Sequence, residues 1–194
     1  MEKKILGICI VVFMLITLVS GCTENNTNDN SNNEVSTAAT DLSNCIKALT
    51  EEKIPTKLDG INGTVQEMTE PLGWDPESSG DSTQFDVKSG YACTYSNDDF
   101  SKMIAVIVVE LENSTDYTTM ATDISKFDET YEGMLTKTTI KGAEAYIVDY
   151  TPNNKMISII TPAGDNTYFS IGFMGDYTAE TATTLMNTWL DSIC

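Results

Sequence analysis

The chain has 194 residues and carries 29 Asp and Glu against 11 basic side chains, all of them Lys, and it has no His. This length predicts one globular domain with a short appendage. Because imidazole is absent, Ser-His-Asp, Cys-His and His-ligated metal chemistry are excluded. The formal net charge of −18 argues against nucleic acid as a partner, since that binding depends on Lys and Arg neutralising phosphates.

The first predicted element is a signal peptide over residues 1–21. Ile5–Val19 is an uncharged apolar run of 15 residues behind two Lys, shorter than the roughly 20 residues that span a bilayer. The run continues into Leu-Val-Ser-Gly-Cys, which ends at Cys22 and resembles the lipobox of secreted lipoproteins. The resemblance implies cleavage before Cys22, a diacylglyceryl group on its sulfur, and a place on the outer, extracellular face of the cytoplasmic membrane. The alternative is an uncut N-terminal membrane helix.

Residues 22–40 are predicted to form a disordered tether. Asn, Thr, Ser, Asp and Glu dominate this segment and Val35 is its one large apolar side chain, so ordering it would bury too little apolar surface. Asn25 lies in the tether and, like Asn62 and Asn113, begins an Asn-x-Ser/Thr triplet. Whether these triplets carry glycans depends on the host.

The rest of the chain, residues 41–194, is predicted to be a single α+β domain. Its apolar residues over 42–49 recur at helical spacing, which predicts a short amphipathic helix. Thr40 or Asp41 would cap this helix at its start. Pro55 would end it, because proline cannot continue a helix.

Two strands are predicted next. Tyr91–Tyr95 alternates in polarity, and Met103–Leu111 is a β-branched run with almost no polar break. The second pattern predicts a central strand covered on both faces. A turn over Asn97–Asp99 would join the two strands, and residues 64–68 are a further candidate strand.

The second half of the domain predicts helix, three strands and helix. Apolar residues recur every three or four positions over 116–131, and strand patterns cover 138–150, 156–161 and 167–173. Thr178 would cap the last amphipathic helix. Together the elements predict an antiparallel sheet with helices packed on it, in the order α-β-β(-β)-α-β-β-β-α.

Several short motifs of the domain resemble those of one group of proteins. The motifs lie at Cys45–Leu49, Cys93–Tyr95, Ile140–Tyr146 and Gly164–Ile171. They resemble small secreted lipoproteins of monoderm bacteria and archaea, including the actinobacterial DUF3558-type lipoproteins and PsbP-like domains. Those families join a Cys-x-x-Leu helix to a Cys-x-Trp strand by a disulfide. Here the first spacing is one residue longer and Tyr95 replaces Trp, and the resemblance implies a Cys45–Cys93 disulfide.

The cysteine count bears on that pairing. With Cys22 acylated, Cys45, Cys93 and Cys194 are left, so an oxidising compartment allows one pair and one free thiol. Loop entropy does not choose between the pairs, since each closes a long loop. Placement of Cys45 on the apolar helix face and Cys93 on a strand favours their pairing, with a frayed Cys194 free. The alternative is that all three are buried thiols.

The candidate recognition site is the acidic loop over residues 71–90, which is the longest stretch without a periodic pattern. The candidate ligand-binding or cation-binding residues are Trp74, Asp75, Glu77 and Asp81, with Asp86 after them. Carboxylate oxygens suit Ca²⁺, but no EF-hand spacing occurs, so no metal is firmly predicted and no other cofactor is expected. The alternative is a solvated acidic loop with Trp74 buried in the core.

The predicted function is that of a lipid-anchored extracytoplasmic binding or accessory protein without catalytic activity. No Gly-x-Ser-x-Gly motif occurs, and the carboxylates of Glu110, Glu112 and Glu144 are expected on solvated strand faces. The predicted partners are the membrane, through the lipid on Cys22, and an extracytoplasmic protein or small ligand. Two alternatives remain: a surface hydrolase that uses carboxylates, and a purely structural envelope protein.

Overall fold

The structure is a computed structural model that describes residues 37–74, 83–116, 118–119, 135–149, 155–164 and 166–194. Its helices are α1 (Thr37–Lys47), a 3-10 turn (Glu51–Lys53) and α2 (Ala179–Ile193). Its strands are β1 (Lys57–Leu58), β2 (Ile61–Glu67), β3 (Leu72–Trp74), β4 (Thr83–Phe85), β5 (Val87–Ser96), β6 (Met103–Leu111), β7 (Leu135–Ile140), β8 (Ala143–Asp149), β9 (Met156–Ala163) and β10 (Thr167–Met174). No helix in these residues is long and apolar enough to cross a membrane.

The centre of the fold is an eight-stranded sheet in the order β1-β2-β5-β6-β10-β9-β8-β7. Each pair of neighbouring strands is antiparallel, and β3 and β4 form a separate two-stranded hairpin. The strands before and after residue 116 form two halves that meet where β6 pairs with β10. This arrangement confirms the predicted α+β class with an antiparallel sheet.

Strand β6 is central and is covered on both faces, as its sequence predicts. Ile104, Val106 and Val108 face the layer that contains α1 and α2. Val109 and Leu111 face the opposite side, where they pack with residues of the β3–β4 hairpin. Because both faces are buried, the strand carries apolar side chains at successive positions instead of alternating them with polar ones.

Helix α2 begins and packs as the sequence predicts. The side chain of Thr178 accepts a hydrogen bond from the Thr181 backbone N–H at 3.2 Å, which caps the helix. One face of α2 is buried against the sheet: Ala182, Met186, Trp189, Leu190 and Ile193. The helix therefore follows its 3.6-residue apolar period.

The boundaries predicted for α1 are wrong. The helix begins at Thr37 and ends at Lys47, so neither Thr40 nor Asp41 caps it and Pro55 does not end it. Residues 37–40 of the predicted tether are helical, and an Ala-Ala pair with high helix propensity accounts for the earlier start.

The predicted order of elements differs from the structure in both halves, since the six strands β1 to β6 occupy the first half, where two or three were predicted. The single strand expected over 138–150 is two strands, β7 and β8, joined at Lys141 and Gly142, whose φ angles are 51° and 79°. Two successive positive φ values are typical of a type I′ hairpin turn. The helix predicted over 116–131 lies largely outside the described residues. At its start, residues 114–116 and 118–119 are described and are helical.

The predicted Cys45–Cys93 disulfide is wrong. Cys45 of α1 pairs with Cys194, and their Cα atoms are 5.3 Å apart. Cys194 was expected to fray, but its backbone N–H donates to the Leu190 carbonyl at 3.0 Å and extends the last turn of α2 toward α1. Cys93 lies in the core beneath the helices as a free buried thiol.

Candidate functional site

A buried carboxylate lies near the end of β6. Glu110 is only 9 % exposed. Its carboxylate accepts hydrogen bonds from Lys88 Nζ at 3.0 Å, Asn166 Nδ2 at 3.3 Å and Ser89 Oγ at 3.5 Å. Three donors from two other segments thus compensate for the loss of water around this charge.

A β-bulge brings two consecutive donors to Glu110. The register of β5 and β6 shifts between Val87 and Ser89, and Ser89 then lies opposite Glu110. In a regular strand, the side chains of Lys88 and Ser89 would point to opposite faces. The bulge re-aims them, so both reach the same carboxylate.

The third donor, Asn166, precedes β10 and holds its start against the end of β6. The side-chain Nδ2 of Asn166 also donates to the Leu111 carbonyl at 2.9 Å, and the backbone carbonyl of Asn166 accepts from the Leu111 N–H at 2.8 Å. Asn166 Oδ1 is buried and has no hydrogen-bond partner within the described part of the chain. The junction of the two halves of the sheet therefore fixes the position of Glu110.

The electrostatic environment keeps Glu110 ionised. Burial alone would raise its pKa, but the hydrogen bonds from Lys88 and Asn166, together with the charges of Lys88 and Lys47, hold that pKa below its ordinary value. Lys47 belongs to the last turn of α1. Two ammonium groups from different elements therefore act on one carboxylate.

A cavity of about 150 Å³ lies beside this cluster, between the end of α1 and the sheet. Its walls include Ile46, Lys47, Leu49, Glu67, Ser89 and Tyr91. Ser89 belongs to both the cavity wall and the Glu110 cluster. The wall thus combines apolar side chains with charged groups of both signs.

Two charged residues of the wall have no partner in the described residues. Lys47 and Glu67 are both exposed, and neither forms a hydrogen bond or an ion pair with the residues that the structure describes. Their charged groups are consequently available to a ligand.

Another charged cluster, formed by Asp59, Lys102 and Tyr177, links three loops: β1–β2, β5–β6 and β10–α2. Asp59 Oδ2 accepts from Tyr177 OH at 3.1 Å and from Lys102 Nζ at 3.3 Å. Lys102 Nζ also lies 5.3 Å from the Tyr177 ring centroid. Burial and the charge of Asp59 raise the pKa of Tyr177, so its hydroxyl stays protonated as a donor. The three groups satisfy one another, and the cluster is best explained as a structural link.

The predicted recognition loop lies mostly outside the described residues. Asp75, Glu77 and Asp81 fall there, and Trp74 is described only as the last residue of β3. Asp86 is exposed, and its carbonyl accepts from the Glu112 N–H at 2.9 Å. No group of three metal-ligating side chains occurs within the part of the chain that is described. Calcium binding by the loop stays a prediction.

The other predicted residues are scattered. Cys22 and Asn25 lie outside the described residues, whereas Asn62 and Asn113 are exposed. Glu144 is exposed, as expected, and accepts a hydrogen bond from Tyr146 OH.

Glu110 contradicts the expectation of a solvated strand carboxylate, because its strand is covered on both faces. The signal was present in the sequence, since an acidic residue inside a continuous apolar run indicates a buried charge that needs partners.

Comparison with known proteins gives no family for the chain. It matches no family model and no curated protein. The resemblance to small secreted lipoproteins therefore remains a prediction from the motifs of the sequence, and the functional argument depends on the geometry of the site.

Proposed function

We propose that the protein is a lipid-anchored extracytoplasmic binding protein without catalytic activity, and that it binds a small polar ligand in the cavity beside Glu110. The observation that carries this proposal is the cavity of about 150 Å³, in which Lys47 and Glu67 present unpaired charges beside an apolar wall. Binding requires such complementary groups and does not require a nucleophile or a general acid.

The cysteines support the extracytoplasmic location. Cys45 and Cys194 form a disulfide across the two ends of the described domain. Disulfides of this structural kind persist in oxidising compartments and are rare in the cytosol. The lipobox that ends at Cys22 is consistent with the same compartment, and the lipid on that residue would attach the protein to the outer face of the cytoplasmic membrane.

The ionisation of two buried groups bears on two catalytic roles, those of a general acid for Glu110 and of a nucleophile for Cys93. A general acid must hold its proton near neutral pH, whereas the pKa of Glu110 is held below its ordinary value. Burial raises the pKa of the Cys93 thiol to about 12. Because the thiolate is the nucleophilic form, this cysteine stays unreactive near neutral pH.

The anchoring half of the proposal is tested in a host that processes lipoproteins. The full chain should fractionate with membranes, and mass spectrometry should find an N-terminal peptide that starts at Cys22 and carries a diacylglyceryl group. Cys22→Ala should lose both the lipid and the membrane association. Recovery of a Met1 start on the membrane-bound protein would contradict the proposal.

The binding half is tested by ligand-observed NMR with the detergent-extracted protein and a library of small polar metabolites. A saturable ligand whose binding falls in Lys47→Gln or Glu67→Gln would support the cavity as its site. Turnover of an ester, peptide or glycoside that Glu110→Gln abolishes would favour the hydrolase instead. Absence of both binding and turnover would favour the structural envelope protein.

A further inference from the structure

We infer that the cavity beside Glu110 binds a free α-amino acid with an apolar side chain. This inference rests on the proposed binding function and specifies its ligand. The cavity wall contains the ammonium group of Lys47, the carboxylate of Glu67 and the apolar side chains of Ile46, Leu49 and Val108. A zwitterion with an apolar substituent is complementary to all three.

Lys47 would receive the ligand carboxylate. Lys88 donates to Glu110 at 3.0 Å and is 54 % exposed, so its ammonium group also faces solvent. Lys47 lies on the cavity wall within electrostatic reach of the same carboxylate. Lys47 forms no ion pair within the described residues, so its ammonium group can form a charge-assisted hydrogen bond with a carboxylate.

Glu67 would receive the ligand ammonium group. Glu67 ends β2 and lies opposite Tyr91 of β5 in the strand register. Its carboxylate has no partner in the described residues. A charge-assisted hydrogen bond from an ammonium group would satisfy it. The negative charge of the protein as a whole also favours the cationic end of an approaching ligand.

The apolar wall and the volume limit the rest of the ligand. Ile46, Leu49 and Val108 line the cavity together with the ring of Tyr91. A volume of about 150 Å³ is below the roughly 300 to 1,000 Å³ of pockets for drug-sized ligands. The volume therefore limits the ligand to a single small metabolite unit, whose apolar substituent would lie near Ile46, Leu49 and Val108.

The test is calorimetric titration of the full, detergent-extracted protein with leucine, leucinamide and N-acetyl-leucine. Leucine keeps both charged groups, leucinamide lacks the carboxylate, and N-acetyl-leucine lacks the ammonium group. We expect leucine to bind, and each blocked compound to bind about tenfold more weakly or worse, because each loses one charge-assisted interaction.

Substitutions assign each charge to its partner. Lys47→Gln should weaken the binding of leucine about tenfold and should not weaken that of leucinamide, because the amide has no carboxylate to lose. Glu67→Gln should weaken the binding of leucine and should not weaken that of N-acetyl-leucine, which has no ammonium group. The matched controls Lys57→Gln and Glu52→Gln change exposed residues outside the cavity wall and should bind leucine like the unmodified protein.

Two results would overturn the inference. Equal binding of leucine and leucinamide, unaffected by Lys47→Gln, would make the cavity a cation site. Failure of leucine and of the other aliphatic amino acids, with a different metabolite binding at the cavity, would exclude this ligand class and leave the proposed binding function in place. Loss of all binding would instead contradict the proposed function itself.

Discussion

At the scale of single residues, Tyr95 is the clearest example of a polar group built into the core. Its side chain is fully buried, and its hydroxyl accepts from Trp189 Nε1 at 3.0 Å and donates to the Pro55 carbonyl at 2.7 Å. Gly63 lies opposite on β2, where an added Cβ would come within 2.4 Å of the Tyr95 ring. The absence of a side chain at Gly63 thus leaves room for the Tyr95 ring, and two hydrogen bonds at the hydroxyl hold the ring in place.

Tyr95→Phe should destabilise the protein by about 1 to 3 kcal/mol. The substitution keeps the ring but leaves the buried Trp189 N–H and the half-buried Pro55 carbonyl without their protein partner. Urea unfolding measures the difference. Tyr91→Phe is the matched control, since the Tyr91 hydroxyl makes no hydrogen bond to the described residues. Equal midpoints for the two variants would contradict the assigned role of the hydroxyl.

Glu110→Gln should lower stability at neutral pH, and the deficit should shrink in acid. A carboxyl group whose pKa is lower in the folded protein stabilises the fold fully above the unfolded value of about 4.3. That contribution is lost as the pH falls through the folded pKa, because both states are then protonated. Urea unfolding of the two proteins at pH 7 and at progressively lower pH measures the effect.

The matched control for this prediction is Glu112→Gln, which removes an exposed carboxylate just beyond β6. It should unfold close to the unmodified protein at every pH, because the Glu112 backbone, not its side chain, makes the bond to Asp86. A Glu110→Gln deficit that is constant with pH would show that lost packing, rather than lost charge, destabilises that variant.

At the scale of elements, the sequence predicted best where burial is uniform. The strand Met103–Leu111 has the predicted bounds, and α2 has the predicted cap at Thr178. Both signals are strong because core packing selects every residue of the pattern. The prediction of one strand over 138–150 missed the turn at Lys141 and Gly142. A Lys with a φ of 51° is unusual, and a two-residue turn is so short that the sequence around it resembles the alternation of a continuous strand.

The disulfide was mispredicted for a reason that belongs to the same scale. A helix terminus near the end of a chain is expected to fray, yet the buried Ile193 and the hydrogen bond from the Cys194 N–H to Leu190 hold this end in place. The position of α2 beside α1 decides the partner of Cys45, and that position depends on packing across the whole sheet.

Cys194→Ser should destabilise the protein by about 2 to 5 kcal/mol. The disulfide closes a sequence separation of 149 residues, and long closed loops restrict the unfolded chain most. Urea unfolding under non-reducing conditions measures the loss. Cys93→Ala is the control and should keep a full response to dithiothreitol, whereas Cys194→Ser should show none. Survival of that response in Cys194→Ser would contradict the Cys45–Cys194 pairing.

At the scale of the whole molecule, the candidate site could not be read from a local pattern. Lys47, Glu67, Ser89 and Val108 come from four separate elements, and the order of strands in the sheet brings them together. The sequence directed attention to the acidic loop over 71–90 because unpatterned loops often carry function. The cavity instead lies on patterned elements, where a bulge and a helix end expose polar groups.

The net charge of −18 predicts that added salt raises the melting temperature. Like charges repel in the compact state, and raising NaCl from about 10 mM to about 0.15 M shortens the Debye length from about 30 Å to about 8 Å. Scanning calorimetry of the detergent-extracted protein measures the shift, with MgCl₂ and CaCl₂ compared at equal ionic strength. Screening alone does not distinguish two divalent cations, so CaCl₂ should raise the melting temperature no more than MgCl₂ does unless calcium binds. If CaCl₂ raises it more, and the combined substitutions Asp75→Asn, Glu77→Gln and Asp81→Asn abolish the difference, the predicted loop is a calcium site. A melting temperature that stays constant or falls as NaCl increases would contradict the importance of charge repulsion in this domain.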